Sequence, residues 1–336
     1  MAIFRCNKCD HLREVGGNYL GKRVKCPECK NITQVFDTVT YVSALLSKYK
    51  EQKNALELLQ SDSAKNGAVI RQDRRDEGAI FDNIDLHNTN VLVQEKNLEP
   101  IAEWFKKHGI ETVFNPEAAD TAGFFDEIAL KLGDDFDALS YVTNQIKYVQ
   151  AKGYKNVKLD VSSKTPEEVQ RINSFCEDLY EYSFVAKHIY QKKDKVIRLV
   201  LQTAPRIRGF FNGLWMEWFT LIKLLYLFKE TKIAPACTRS LNISFNDGKS
   251  NELDIFVLSS TGIAVCIECK SGEFRHDIDK YLALRKRLGI SKSQFVICVF
   301  GLSDEQSVGM TSMYDLTFVN HSSVIDHVAD VLRQPQ

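Results

Sequence analysis

The sequence carries no excess of charge of either sign. Its 44 lysines and arginines equal its 44 aspartates and glutamates, so no global basic field marks the whole chain as a nucleic-acid binder. It has no apolar run approaching the roughly 18 residues of a membrane span, and a membrane partner is therefore not expected. Its opening residues, Met1-Ala2-Ile3-Phe4-Arg5-Cys6, lack the apolar core of a secretory signal. The expectation is a cytoplasmic protein with reduced cysteines. Internal repeats and a glycine-rich phosphate loop are also missing. What is there is foldable material: 44% apolar and 26% charged over 336 residues, enough for two or three domains.

Charge is absent in sum but not in distribution. From Arg5 to Lys30 there are seven basic residues against three acidic ones, a net of +4, whereas 111–137 is acidic. The same basic stretch holds four of the nine cysteines, as Cys6-x-x-Cys9 and Cys26-x-x-Cys29. Paired knuckles at this spacing predict a tetrathiolate Zn²⁺ site. A segment of about 36 residues cannot build an adequate core alone, so metal must supply folding energy. Gly16-Gly17 and Gly21 suit the turns of a zinc ribbon over 1–36. Its aromatics Phe4, Tyr19 and Phe36 are expected to form the ribbon's small core rather than stack on bases. The module can bind nucleic acid through its cations or serve as a structural or protein-docking knob. Cys176, Cys237, Cys266, Cys269 and Cys298 stand singly in apolar stretches and read as buried small residues.

Residues 37–84 read as a helix, Lys48 to Gln60, followed by a polar linker, Ser61 to Gly78. The helix suits a tether or a short coiled coil, although its stripe breaks at Gln52 and Lys53. Residues 85–203 alternate as an α/β domain. Short strands are expected at Val91–Val93, Glu111–Phe114 and Val157–Val161. Helices are expected at Asn97–His108, Thr121–Leu132, Phe136–Lys152 and Pro166–Tyr180, and a hairpin around Lys193-Asp194. This domain shows no catalytic cluster, and its role is not legible.

Chemistry concentrates in 204–336. Asn251-Glu252-Leu253-Asp254 enters one apolar strand, Leu253 to Leu258; Glu268-Cys269-Lys270 ends the next, Ile263 to Cys269. Side chains alternate along strands, so Glu268 and Lys270 share a face. Asp254 opposes Glu268 only if paired positions sum to 522. A four-residue loop, Ser259 to Gly262, gives 521, so a metal site requires a three- or five-residue loop, or a bulge. Opposed residues have Cβ atoms about 4.5–5.5 Å apart, close enough to share one ion. Hard oxygen ligands select Mg²⁺ or Mn²⁺. Glu217, on a helix expected from Gly213 to Lys229, lies on that helix's apolar stripe. It needs either a metal or an arginine such as Arg206 or Arg208 as partner. Glu252 can be a further ligand or pair with Lys270. Lys280, Arg285, Lys286 and Arg287 on the helix from Asp277 to Leu288 can contact phosphate; His276 reads as a surface histidine.

The order helix-Glu, strand, strand-Asp, strand-Glu-x-Lys, helix, strand resembles the restriction-endonuclease fold of PD-(D/E)xK nucleases. More narrowly, Gly213-x-Trp215-x-Glu217, Asn251-Glu252-Leu253-Asp254 and Glu268-Cys269-Lys270 are similar to the C-terminal nuclease domain of CARF-containing CRISPR ancillary nucleases. Met216 departs conservatively from the leucine usual there. The resemblance covers about 206–332. It implies a central mixed sheet flanked by helices and Mg²⁺- or Mn²⁺-dependent cleavage of DNA, with RNA as the alternative. It also implies Glu217, Asp254 and Glu268 as metal ligands, Lys270 as catalytic lysine, and a role in prokaryotic defence. A homodimer would supply two sites for a duplex. By position, 85–203 would be a sensor that gates the nuclease with a small nucleotide, although it lacks the Gly-Gly-Thr-type loop common in such sensors. The remaining alternative is a non-catalytic nucleic-acid-binding scaffold, with protein partners reached through the ribbon or the middle domain.

Overall fold

The computed structural model describes residues 2–6, 8, 9, 11–38, 92, 94–119, 124–231 and 235–333. The helix expected at 48–60 and the linker at 61–78 lie outside them. The chain divides into two compact units, 1–73 and 74–336.

In the first unit, β1 (Ala2–Arg5) pairs antiparallel with β2 (Leu12–Val15), and β3 (Arg23–Lys25) with β4 (Ile32–Asp37). Pairing of β1 with β4 joins the two hairpins into a sheet ordered β2-β1-β4-β3. Each hairpin turn carries one Cys-x-x-Cys. Both turns are closed alike, by Cys6 N–H to His11 O at 2.9 Å and Cys26 N–H to Asn31 O at 2.8 Å. Among the described residues its buried apolar core is Ala2, Phe4, Val35 and two of the cysteines. Of the three aromatics expected inside, Phe4 alone is buried; Tyr19 and Phe36 are 45% and 41% exposed. Four short strands enclose too little volume for all three rings.

The second unit is mixed α/β. Helix α1 (Glu95–Lys107), strand β5 (Ile110–Val113) and the short α2 (Pro116–Ala119) lead to α3 (Phe125–Asp134) and α4 (Phe136–Ala151). Then come β6 (Asn156–Asp160), α5 (Pro166–Glu181) and the hairpin β7 (Val185–Gln191) and β8 (Val196–Leu201). After α6 (Pro205–Gly209) and α7 (Trp215–Thr231) follow β9 (Ala236–Phe245), β10 (Ser250–Leu258), β11 (Ala264–Ser271), α8 (Ile278–Leu288) and β12 (Phe295–Phe300). Helix α9 (Asp304–Met313), β13 (Thr317–Val319) and α10 (Val324–Arg333) end the described chain.

The main sheet runs β13-β12-β11-β10-β9-β5, parallel from β11 to β13 and antiparallel elsewhere. Its two central strands carry the acidic motifs, and their apolar runs are buried on both faces, as covered strands require. One face packs on α7 and α10, the other on α1 and α8. The segment 85–203 is not separate from this body. Its strand β5 hydrogen-bonds to β9. Its three-stranded sheet, β6-β8-β7, and helices α3 to α5 share one continuous core with α7. Gly133 lets α3 meet α7 closely, since a Cβ there would lie 2.1 Å from the Phe219 ring.

Three local expectations shift. The first helix of the acidic segment runs Phe125–Asp134, and Thr121, where it is expected to begin, lies outside the described residues. Leu92 sits in a helical turn and not in a strand, while Val91 and Val93 lie outside the described residues. Helix α7 starts at Trp215 because Gly213 adopts φ 146°, which breaks the helix and leaves a wide turn over 210–214.

Candidate metal-dependent active site at a strand fork

The site lies where β10 and β11 part. Their ladder runs Leu258↔Ala264, Val257↔Val265, Phe256↔Cys266 and Ile255↔Ile267, every pair summing to 522. The connecting loop is therefore five residues, 259–263, closed by Ser259 N–H to Ile263 O and by Ile263 N–H to Ser259 Oγ, both at 2.9 Å. This is the odd length that brings Asp254 opposite Glu268. Beyond Ile255 the strands separate, β10 staying with β9 and β11 with β12. The two carboxylates take over the freed backbone donors. Cys269 N–H donates to Asp254 Oδ2 at 2.8 Å, and Asp254 N–H to Glu268 Oε1 at 3.4 Å. Lys270 Nζ sits 3.5 Å from both Asp254 Oδ2 and Glu268 Oε2.

Glu268 is fully buried, and burial, then the Asp254 charge, pushes its carboxyl up to about 8 despite Lys270. Burial works against the Lys270 ammonium, but Asp254, Glu268 and Tyr281 hold it above its usual range. Tyr281, on α8, is buried with its ring centroid 5.8 Å from Lys270 Nζ. The sequence gives no sign of this tyrosine's role, because only α8 packing against the sheet brings it to the lysine.

Glu217 approaches from α7 on the other face. Its carboxyl is pushed up to about 8 by burial and then by Asp254. Its partner is neither Arg206 nor Arg208. Arg239 Nη1 donates to Glu217 Oε2 at 3.2 Å, and Ser240 Oγ donates to the same oxygen at 3.3 Å. Two consecutive strand residues reach one carboxylate because Ser240 has φ 51°. That kink reverses the pleat. Cys237 and Ile255 pack on the α7 side, whereas Leu241 and Leu253, also at odd positions, pack on the opposite side. Arg239 is 2% exposed. Its guanidinium lies 3.8 Å over the Trp218 ring, and its Nε donates to Ala118 O at 2.8 Å. Neither the arginine's position nor the left-handed serine has a sequence signal, since Arg239 reads as one charge interrupting a strand.

Other expected groups are divided. Glu252 is exposed on the Glu217 side. Arg285 pairs with Asp315, and Arg287 with Asp247 at 2.9 Å, so these two are engaged within the protein. His276 is exposed, as expected, and the five scattered cysteines are all buried.

The donor sets fit metals unequally. In the first unit, Cys6, Cys9, Cys26 and Cys29 place all four sulfurs within 4.8 Å of one another. Cys6 Sγ and Cys29 Sγ are 3.3 Å apart, and Cys9 Sγ and Cys26 Sγ 3.6 Å. A tetrahedral zinc with Zn–S near 2.3 Å needs sulfurs about 3.8 Å apart, so the cluster can bind a metal such as zinc. Burial opposes ionisation of Cys6, yet the backbone N–H groups of Lys8 and Cys9 help bring its thiol down to about 6. At the fork, Asp254 and Glu268 supply paired oxygens. Among the described residues only the four cysteines form a group of three or more ligating side chains this close, so Glu217 does not complete a comparable cluster with the two fork acids.

No family model matches the chain, and no curated protein matches it. Among solved structures it is similar to that of protein VC1899 from Vibrio cholerae, at 17% identity and a TM-score of 0.49, covering 69% of this chain and 60% of that one. A likeness at that level carries no inference about function.

Proposed function

We propose that the protein is a metal-dependent endonuclease that hydrolyses phosphodiester bonds, with DNA favoured over RNA, on a restriction-endonuclease-like core. The observation that carries this reading is the fork, where Asp254 and Glu268 face each other with Lys270 Nζ 3.5 Å from both. Once both acids are ionised, one ammonium does not balance them, and a divalent cation would supply the missing charge in this largely buried place. Asp254 and Glu268 would hold it. Such an ion polarises the scissile phosphate and lowers the pKa of a bound water. Lys270 is placed to orient the attacking water or to neutralise charge developing on the phosphate oxygens. Glu217, fixed by Arg239 and Ser240, stands near Asp254 as a third acid on the α7 side. The defence role and the cytoplasmic setting rest on the family resemblance and the sequence alone.

A second reading, a scaffold that binds nucleic acid without cutting it, draws on the Glu217–Arg239 pair, in which an internal cation stands beside the third acid. A cleavage panel separates the two. Full-length protein is incubated with single- and double-stranded DNA and RNA, with Mg²⁺, Mn²⁺ or EDTA. The nuclease cuts with metal and not with EDTA, and Lys270→Ala lowers the rate by about 10²–10⁴-fold while binding persists. If Lys270→Ala and Glu268→Ala cut as fast as the parent, the assignment fails. Binding by the parent with no cutting under any metal favours the scaffold.

A further inference from the structure

Beside Glu217, on the α7 face of the sheet, lies a cleft of about 230 Å³ whose lining includes Asn115, Arg206, Trp218, Arg239, Ser240 and Glu252. We propose that this cleft is a subsite for the nucleotide that flanks the scissile bond, with Arg206 as its phosphate contact. The proposal rests on the nuclease reading for the identity of the ligand. The cleft itself is built from different residues than the fork.

Three observations point to a nucleotide. The first is continuity. Arg239 and Ser240 in its wall bind Glu217 directly, and Glu252 is two residues before Asp254 on β10. The Asp254 charge acts on both Glu217 and Arg239, so the opening lies close to the fork and within reach of a chain whose phosphate sits there. The second is chemistry. The wall combines aromatic surface with cations. Arg206 is exposed and lies 5.2 Å from the Phe125 ring centroid, while the buried Arg239 covers Trp218. Arginines held against rings are preorganised forks for phosphate and stack on bases. Asn115 and Ser240 add neutral polar groups suited to base edges or sugar. The third is size. At about 230 Å³ the cleft lies below the roughly 300–1,000 Å³ of sites that enclose drug-sized ligands, a size suited to one nucleotide unit. Glu252 is the one acid in the wall, and it disfavours an additional phosphate close to it.

Arg206 is the informative residue because it is exposed and makes no ion pair with the fork acids. Its contact to a flanking phosphate exists before and during the reaction, so its loss weakens binding without slowing chemistry. The test uses full-length Arg206→Ala, Arg206→Glu and Arg206→Lys, with Lys192→Ala at the tip of the β7–β8 hairpin as a charge-matched control. An end-labelled single-stranded oligonucleotide, as DNA and as RNA, is titrated without metal over a series of salt concentrations. Cleavage is then measured with Mn²⁺. Arg206→Ala is expected to raise Kd and KM by about tenfold with kcat within about twofold. It should also lower the slope of log K against log salt by about 0.7, one phosphate contact on a single strand. Arg206→Glu should weaken binding further, Arg206→Lys should recover part of the loss, and Lys192→Ala should match the parent.

If the protein cuts and Arg206→Glu leaves KM and the salt slope unchanged, the subsite falls and the nuclease reading stands. If nothing is cut but Arg206→Glu still removes a phosphate contact, the cleft is a nucleic-acid site and the nuclease reading falls. An equal loss in Lys192→Ala overturns the subsite, because the effect would then be general electrostatics.

Discussion

Glu217 and Glu268 are buried carboxyls whose protonation the fold shifts. Burial, reinforced by the Asp254 charge, pushes each carboxyl up to about 8 in the metal-free protein, against about 4.3 for an unperturbed glutamate. The folded protein then binds more protons than the unfolded chain between those two values. Metal-free stability should therefore fall as pH rises from about 4.5 towards 8, by at most about 1.4 kcal/mol per unit for each group. On the proposed reading a cation at the fork needs Glu268 ionised, so its binding would expel a proton. Apparent Mn²⁺ affinity measured by calorimetry should rise between about pH 6 and 8 and flatten above. An affinity indifferent to pH over that window would mean that Glu268 does not take part. Asp254, Glu268 and Lys270 were legible in sequence because their spacing across one hairpin fixes which positions can oppose one another. Arg239 and Tyr281 were not, since each reaches the site through packing of a helix on the sheet and not through spacing along one strand.

The elements that make the site are three strands with two interruptions. In β10 and β11 the interruption is the fork, and the five-residue loop sets its register. The spacing of Asp254 and Glu268 already demanded an odd loop or a bulge, and the hairpin has the former. In β9 the interruption is Ser240, whose left-handed backbone turns Arg239 and Ser240 towards one carboxylate. No local pattern announces this kink, because serine carries no preference for positive φ and the surrounding run reads as plain strand. A β-branched residue tolerates that backbone poorly. Ser240→Val should destabilise the fold by about 2–3 kcal/mol, combining strain with the lost hydrogen bond to Glu217. Ser240→Gly should stay within about 1 kcal/mol of the parent, as relief of strain offsets the missing hydroxyl. Urea unfolding reads both, and an unperturbed Ser240→Val protein would show that the kink is not required. The helix boundaries shifted for a similar reason. Gly213 supplies a conformation that ends the preceding turn and starts α7 two residues late.

At the scale of the molecule, two units depend on different forces. Unit 74–336 holds a continuous core spanning both its sheets. This explains why a boundary placed at 204 does not follow the structure: β5 completes the main sheet, and α3 packs on α7. Sequence alternation showed the elements of 85–203 but could not show which sheet each strand joins. Among its described residues the first unit has almost no apolar core, and its cysteine spacing was its most legible feature. Full-length protein should hold about one zinc per chain. Cys6→Ser with Cys9→Ser should lose the metal and expose the amides of 2–37 to rapid hydrogen exchange, while protection in β10 to β12 persists. Zinc content unchanged in that variant would remove the tetrathiolate assignment.

The central claim is that the fork holds a divalent cation that Lys270 does not replace. Crystals of full-length protein soaked in Mn²⁺, with anomalous scattering measured at the manganese edge, test it most directly. The account predicts a Mn²⁺ ion about 2.1 Å from carboxylate oxygens of both Asp254 and Glu268, absent in Glu268→Gln. Saturating Mn²⁺ with no anomalous peak at the fork, and Lys270 Nζ still bridging the two acids, would contradict it.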